Sequence, residues 1–85
     1  MRKARVLVWL KQDVLDPQGR TINEALHGLG YELVDDVRQG KAFDIMLDDE
    51  GLDEKELLAL IEQMSKRLLS NPVIEDFDIE LLGRG

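Results

Sequence analysis

The sequence contains no cysteine. Disulfides, thiolate nucleophiles and cysteine-based zinc sites are therefore excluded, and a small domain that does without disulfides fits a reducing cytosol. Histidine occurs once, at His27, and hydroxyl nucleophiles are confined to Thr21, Ser65 and Ser70. Metal sites need several convergent ligands and nucleophilic catalysis needs a nucleophile beside a base, so a zinc site or a self-sufficient triad is not expected. Positive charge is also short. Lys and Arg together number 11 against 18 acidic residues, a net charge of −7. Nucleic acids and anionic membranes are both recognised by positive surface, which this composition lacks. The apolar run behind the basic start spans only Val6 to Leu10 and is closed by Lys11, too short for a signal h-region or a membrane span. Neither a Walker-type run nor GxGxxG is present. A cytoplasmic protein with no nucleic-acid and no membrane partner is the expectation.

What the sequence does contain is ordered patterning. Its 85 residues suit one domain, residues 1–85, whose core is at most one layer of helices on one sheet. Such short chains bury only about 60–65% of their unfolded surface, and many gain stability by oligomerising. "ARVLVWLK", residues 4–11, reads as a strand with Val6, Val8 and Leu10 on one face and Leu7 and Trp9 on the other. Apolar residues on both faces mark a strand covered on both sides. One chain of this size has helices for one side, so a sheet face packed against a partner subunit is expected.

Asp16 and Pro17 then open a helix, an acidic N-cap followed by proline at the first helical position. Ile22, Ala25, Leu26 and Leu29 give it an apolar stripe, and Gly30 is its expected stop. "YELVDDVR", residues 31–38, reads as a second strand. Gln39-Gly40 is a tight-turn candidate with glycine supplying a positive φ, and "AFDIMLDD" points Phe43, Ile45 and Leu47 inward as a third strand. Asp53 to Glu56 resembles a capping box ahead of the stripe Leu57, Leu60, Ile61, Met64 and Leu68. "SNP", residues 70–72, stops this helix, because Pro72 biases Asn71 away from helical geometry. A last strand follows with Val73, Phe77, Ile79 and Leu81 on one face, its alternation broken at Glu75. The order β-α-β-β-α-β implies an α+β, ferredoxin-like sandwich with both helices covering one sheet face.

Three features invite a chemical reading. "DPQGRT" places Gly19 and Arg20 at a helix start, where a phosphate can be held, although a plain capped helix accounts for the same residue types. "VRQGK" sets Arg38 and Lys41 around a turn glycine, either as solvated hairpin charges or as a docking point for an acidic partner. The acidic run 48–56 reads as a solvated loop whose acids favour the coming helix N-terminus, and its spacing does not match a calcium loop. His27 lies off the apolar stripe and reads as an exposed helix histidine. No catalytic, cofactor-binding or metal-binding residue is assigned.

Taken together, "RVLVWLKQDVLDPQGRTINEALHGLGY", "VDDVRQGKAFDIML" and "LLSNPVIEDFDIELL" resemble the PurS family, the small subunit of bacterial and archaeal phosphoribosylformylglycinamidine synthase. The resemblance runs from about residue 4 to 82 and rests on four blocks in order. These are the leading strand ending in Leu10-Lys11, then Asp16-Pro17-Gln18-Gly19, then Val37-Arg38-x-Gly40-Lys41, and Asn71-Pro72-Val73-Ile74-Glu75-Asp76-Phe77. It implies a non-catalytic part in a carbon–nitrogen ligase of de novo purine biosynthesis, with glutamine as amido donor. It also implies ATP, Mg and glutamine used by the complex and none bound by this chain. The implied partners are a large synthetase subunit of the PurL type, a glutaminase of the PurQ type, and further copies of the chain in a dimer or tetramer. The small subunit would hold the other two together and assist ammonia transfer. Candidate subunit contacts are Leu7, Trp9, Gln18, Gly19, Arg38 and Lys41. The alternative, on fold analogy alone, is a regulatory module binding a small effector at a dimer interface.

Overall fold

A computed structural model describes residues 1–84, so Gly85 of the expected 1–85 domain and of the Gly83-Arg84-Gly85 tail lies outside the described residues. The element order is β1 (Arg2–Leu10), α1 (Pro17–Gly28), β2 (Gly40–Leu47), α2 (Glu54–Met64), one π-helical turn (Ser65–Leu69) and β3 (Glu75–Arg84). The three strands form one antiparallel sheet in the order β2-β1-β3. β1 is the central strand because its alternation is the cleanest. Ala4, Val6 and Val8 are essentially inaccessible, and Val6 is flanked by Phe43 on β2 and Ile79 on β3.

The core lies between this sheet face and α2. Leu57 and Ile61 sit on the buried β1 residues, with Phe43, Ile45, Leu47, Met64, Phe77 and Ile79 packed around them. Burial of a valine, leucine or isoleucine side chain contributes about 1.5–3 kcal/mol, so Val6, Val8, Leu57 and Ile61 hold much of a small domain's stability. α2 starts as its pattern predicts. The Asp53 carboxylate accepts from the Glu56 N–H at 2.8 Å, and Glu54 and Glu56 occupy the first turn, where acids complement the helix dipole. The π-turn is held by Ser65, whose hydroxyl donates to the Ile61 carbonyl at 2.8 Å. The Ser65 carbonyl in turn accepts both the N–H and the hydroxyl of Ser70, each at 2.8 Å.

After Asn71-Pro72 the chain turns into β3 at Glu75, whose carboxylate accepts from the Asn71 N–H at 2.7 Å. Phe77, Ile79 and Leu81 reach the core side as expected. Val73 does not, for it sits in the turn and is 81% exposed. Proline and the Asn71 side chain, which accepts from the Val73 N–H, set a turn there in place of a ladder.

The ferredoxin-like α+β class holds, but one strand of the expected six-element order is missing. Residues 31–38 do not pair with the sheet. Instead they lie along α1, with Asn23 Nδ2 donating to the Asp35 carbonyl at 3.4 Å and His27 Nε2 to the Val34 carbonyl at 2.6 Å. Among the described residues α1 makes no extensive contact with the sheet or with α2, unlike the expected second cover of the core face. Its stripe is largely open to solvent, Ile22 being 41% and Leu29 73% exposed. α1 and residues 31–38 thus form an arm. The radius of gyration is 16.5 Å and the extents are 53 × 28 × 15 Å, whereas a compact chain of this length has a radius near 12 Å. Gly30 ends α1 with φ +99°, as its residue type predicts, while Gly40 has no positive φ. Gly40 is needed for a different reason. It opens β2 opposite Trp9, where a Cβ would stand 2.7 Å from the Val8 carbonyl oxygen.

Candidate functional site

The arm is fastened to the sheet at one end of β1, and most of the predicted contact residues gather there. Asp16 is the centre of this root. It is 6% exposed, one carboxylate oxygen accepts from the Gly19 N–H at 2.9 Å, and the other accepts from the Gln39 N–H at 2.7 Å. One side chain therefore caps α1 and ties the chain before β2 to it. These two N–H donors, the Gly19 one first, hold the Asp16 carboxyl below the ordinary carboxylate range against the opposing effect of burial, and the Arg38 charge adds to them.

Gly19 is buried in the same root. A Cβ on it would lie 2.1 Å from the Val37 carbonyl oxygen. The backbone that crowds this glycine is thus the chain's own, which supplies an intramolecular reason for a glycine in the first helical turn. Arg38 is likewise engaged within the chain. Its Nη2 donates to the carbonyls of Lys11 and Val14 at 2.9 and 2.8 Å, strapping the loop that leaves β1. Arg38 and Lys41 accordingly do not act as one cationic patch. The Lys41 ammonium lies 3.8 Å from Glu75 and 5.8 Å from the Phe43 ring centre, half-exposed at the mouth of a crevice.

That crevice, about 200 Å3, is walled by Trp9, Asp16, Gln18, Gln39, Lys41 and Glu75. On the other side of Trp9 a second depression, about 290 Å3, is lined by Leu10, Gln12, Arg38 and Asp76. Trp9 forms the ridge between them and is 40% exposed. Leu7 is half-buried on the same outer face of β1, between Ala42 and Asp78. This face is less apolar than the alternation of Leu7 and Trp9 suggests. Arg5 lies on it opposite Asp44, their charges 2.8 Å apart, with Lys3 3.7 Å from the same carboxylate. A surface that mixes a tryptophan ridge, polar hollows and fixed charges suits protein recognition better than a closed core.

The remaining reactive groups are occupied in holding the fold. His27 is on the arm, Ser65 is buried against Ile61, and the Thr21 hydroxyl donates to the Pro17 carbonyl at 3.0 Å. In the acidic run, Asp53 caps α2, Asp48 accepts from the Glu50 N–H, and Asp49 is buried 3.7 Å from the chain's amino terminus. Sequence reasoning missed an apolar groove of about 440 Å3 between the edge strand β2 and α2, lined by Ile45, Leu47, Leu60, Met64 and Leu68 among others. Its signal was the width of the α2 stripe, which carries more leucine than one sheet face covers.

With the geometry in place, comparison with known proteins is informative. Residues 3–83 match the family model PurS, phosphoribosylformylglycinamidine (FGAM) synthase. The phosphoribosylformylglycinamidine synthase subunit PurS of Methanocaldococcus jannaschii is 44% identical over 81 residues, 95% of each chain. The crystal structure of the M. jannaschii PurS superposes with a TM-score of 0.87 over the whole of both chains, at 40% identity. A chain of the PurLQS structure from Thermotoga maritima superposes with a TM-score of 0.81 at 27% identity, covering 95% of this chain and 96% of that one.

Proposed function

This chain belongs to the PurS family of phosphoribosylformylglycinamidine (FGAM) synthase, and from that membership and the geometry of its root we propose that it is the non-catalytic assembly subunit of such an enzyme. The reaction is the ATP- and glutamine-dependent conversion of formylglycinamide ribonucleotide to formylglycinamidine ribonucleotide in cytoplasmic purine synthesis. A PurL-type subunit performs the amidation and a PurQ-type subunit releases ammonia from glutamine. ATP, Mg and glutamine are used by those partners and none is bound here. This chain, as a homo-oligomer, holds the two together and assists ammonia transfer. The observation that carries the reading is the end-to-end likeness to a chain of a PurLQS assembly.

The surface best suited to docking is the Trp9 ridge with its two hollows. Leu7 and Trp9 supply apolar contact, and Gln18 and Lys41 supply polar contact at the rim. Gly19 and Arg38 serve that surface by fixing its shape. Reconstitution tests the proposal. Glutamine-dependent synthase activity should collapse when this chain is omitted and return when it is added, while ammonia-dependent activity persists in part. Trp9→Glu should fold normally and fail to restore glutamine-dependent activity. Full activity without the chain would overturn the assignment, and full activity with Trp9→Glu would remove the ridge from the docking surface. Calorimetric binding of an amino acid or nucleotide to the isolated oligomer would favour an effector-binding module instead.

A further inference from the structure

β3 is an end strand of the sheet, and among the described residues no strand pairs with its far side. Ladder alternation tells which groups face that open side. Lys11 donates its N–H to the Ile74 carbonyl at 2.8 Å, so the pairs that exchange hydrogen bonds recur at every second residue. They are Trp9 with Asp76, Leu7 with Asp78 and Arg5 with Glu80. Phe77 and Ile79 lie between them and turn their N–H and C=O outward. The Ile79 N–H accordingly finds its acceptor off the ladder, in the Asp78 carboxylate at 3.0 Å. The core side of this edge is thinly covered. Phe77, Ile79 and Leu81 are half-buried, whereas Val6 and Val8 beside them on β1 are fully enclosed.

The outer side of the same edge is acidic. Asp76, Asp78 and Glu80 stand exposed at alternate positions on the outer sheet face, roughly 7 Å apart along the strand. Few cations answer them. Lys11 lies 2.8 Å from Asp76, Arg5 is bonded to Asp44 and attracted only more distantly by Glu80, and Asp78 pairs across the ladder with Leu7. Another copy's β3 is a poor occupant, because acids would face acids along the whole row. We infer that the open edge of β3 receives an extended segment of a partner subunit as an added strand. The segment carries lysine or arginine at every second position, beside Asp76, Asp78 and Glu80, and apolar residues between them that cover Phe77, Ile79 and Leu81.

The inference rests on the assembly role proposed above and specifies the form of the docked element. A strand added to an edge sets its side chains on the same two faces as its neighbour. The acidic face therefore selects basic residues, and the half-buried face selects apolar ones. The edge is also continuous with the surface assigned to docking, since Trp9 pairs with Asp76 and Asp76 lines the hollow beside it. The net charge of −7 gives the approach of a basic segment the favourable sign. On docking, a carbonyl of the segment takes the Ile79 N–H, and the Asp78 carboxylate that held it takes a cation instead.

Hydrogen exchange read by mass spectrometry tests the edge directly, in the free chain and in the complex assembled with PurL-type and PurQ-type subunits. Exchange of the Phe77 and Ile79 amides, resolved by overlapping peptides, should slow at least about tenfold on assembly, because both gain acceptors. Charge reversal is the second arm. Asp78→Lys combined with Glu80→Lys, its fold verified by circular dichroism, should weaken complex formation about thirtyfold. Raising salt to about 0.5 M should weaken the parent complex more than that of the variant. Unchanged exchange of both amides in an assembled complex, or a folded double variant that assembles as tightly as the parent, overturns strand addition while the assembly role stands. Should the variant not fold, exchange in the parent complex decides alone. A synthase as active on glutamine without this chain as with it overturns both.

Discussion

Gly19→Ala separates helix propensity from tertiary packing, because the two predict opposite signs. Alanine inside a helix is favoured over glycine by up to about 1 kcal/mol, so propensity alone makes the variant more stable. In the structure the added methyl meets the Val37 carbonyl oxygen at 2.1 Å, the Val37 carbonyl carbon at 2.9 Å and Asp16 Oδ2 at 2.9 Å. Ordinary contacts of this kind are roughly 3.5 Å, so one backbone must move by more than about 1 Å. Two of the three crowding atoms are backbone, and the third, Asp16 Oδ2, is held in place by the Gln39 N–H. Val37 is held two residues from the Gln39 N–H that Asp16 binds, and the carboxylate is already committed on both oxygens. Overpacking of this severity costs about 3 kcal/mol, which leaves a net loss near 2 kcal/mol after the propensity gain. Because α1 makes no extensive contact with sheet or α2 among the described residues, the loss falls mainly on the arm's own opening equilibrium. Amide exchange of α1 should accelerate about 25-fold at 1.4 kcal/mol per decade, while exchange in α2 changes little. Gly28→Ala is the matched control. Nothing lies within 4 Å of its added methyl, so α1 protection should rise by up to about fivefold. If Gly19→Ala protects α1 as Gly28→Ala does, the root is not built around that close approach and the reasoning fails.

Two further outcomes follow from the same root. Asp16 has a folded pKa held below its ordinary value, so it contributes stability that is present above the ordinary carboxylate pKa and lost as pH falls through the depressed one. A urea-midpoint series from about pH 5 to 2 should show this acid loss in the parent and a flatter acid limb in Asp16→Asn, with equal slopes refuting the linkage. Arg38→Gln removes a charged donor from two carbonyls and should cost about 1–2 kcal/mol, several degrees in Tm. Lys41→Gln breaks only a long, 3.8 Å pair whose lysine is half-exposed, should stay within about 0.5 kcal/mol, and should weaken partner binding instead. Equal effects of both on Tm would restore the single cationic patch.

The core was legible because period-two alternation depends on burial alone. Ala4, Val6 and Val8, with Phe43, Ile45, Phe77 and Ile79, point where their spacing requires. Caps were legible for a similar reason, since the acceptor of Asp16 or Asp53 and its donors lie within one turn of chain. Residues whose role is set from far along the chain were misread. Arg38 and Lys41 look alike in sequence, yet one binds carbonyls 24 and 27 residues away and the other faces solvent. Gly40 looks like a turn glycine, and its requirement comes from the Val8 carbonyl on the neighbouring strand. Gly19 reads as a candidate subunit contact, and the structure adds a requirement inside the chain that spacing does not show, the close approach of the Val37 carbonyl.

Residues 31–38 and the α1 stripe fail in a more instructive way. Periodicity reports that a face is apolar without reporting whose core it enters, and here the pattern is right while the covering surface is absent from the same chain. The energetic consequence can be bounded. The chain exposes 6253 Å2 at 9.7 kDa, whereas a compact monomer of that mass exposes roughly 5,100 Å2. Of the excess surface of about 1,100 Å2, somewhat over half is apolar in a typical protein, and at 25 cal/mol per Å2 an isolated chain forgoes on the order of 15 kcal/mol of burial. Even halved for a compact unfolded state, that is comparable with the entire 5–15 kcal/mol by which small domains are stable. A chain that carries Ile22, Leu29, Tyr31 and Leu33 exposed on an arm held away from its own sheet leaves that free energy unrealised within itself. The root that fastens the arm also borders the two hollows beside Trp9, Asp16 lining one and Arg38 the other.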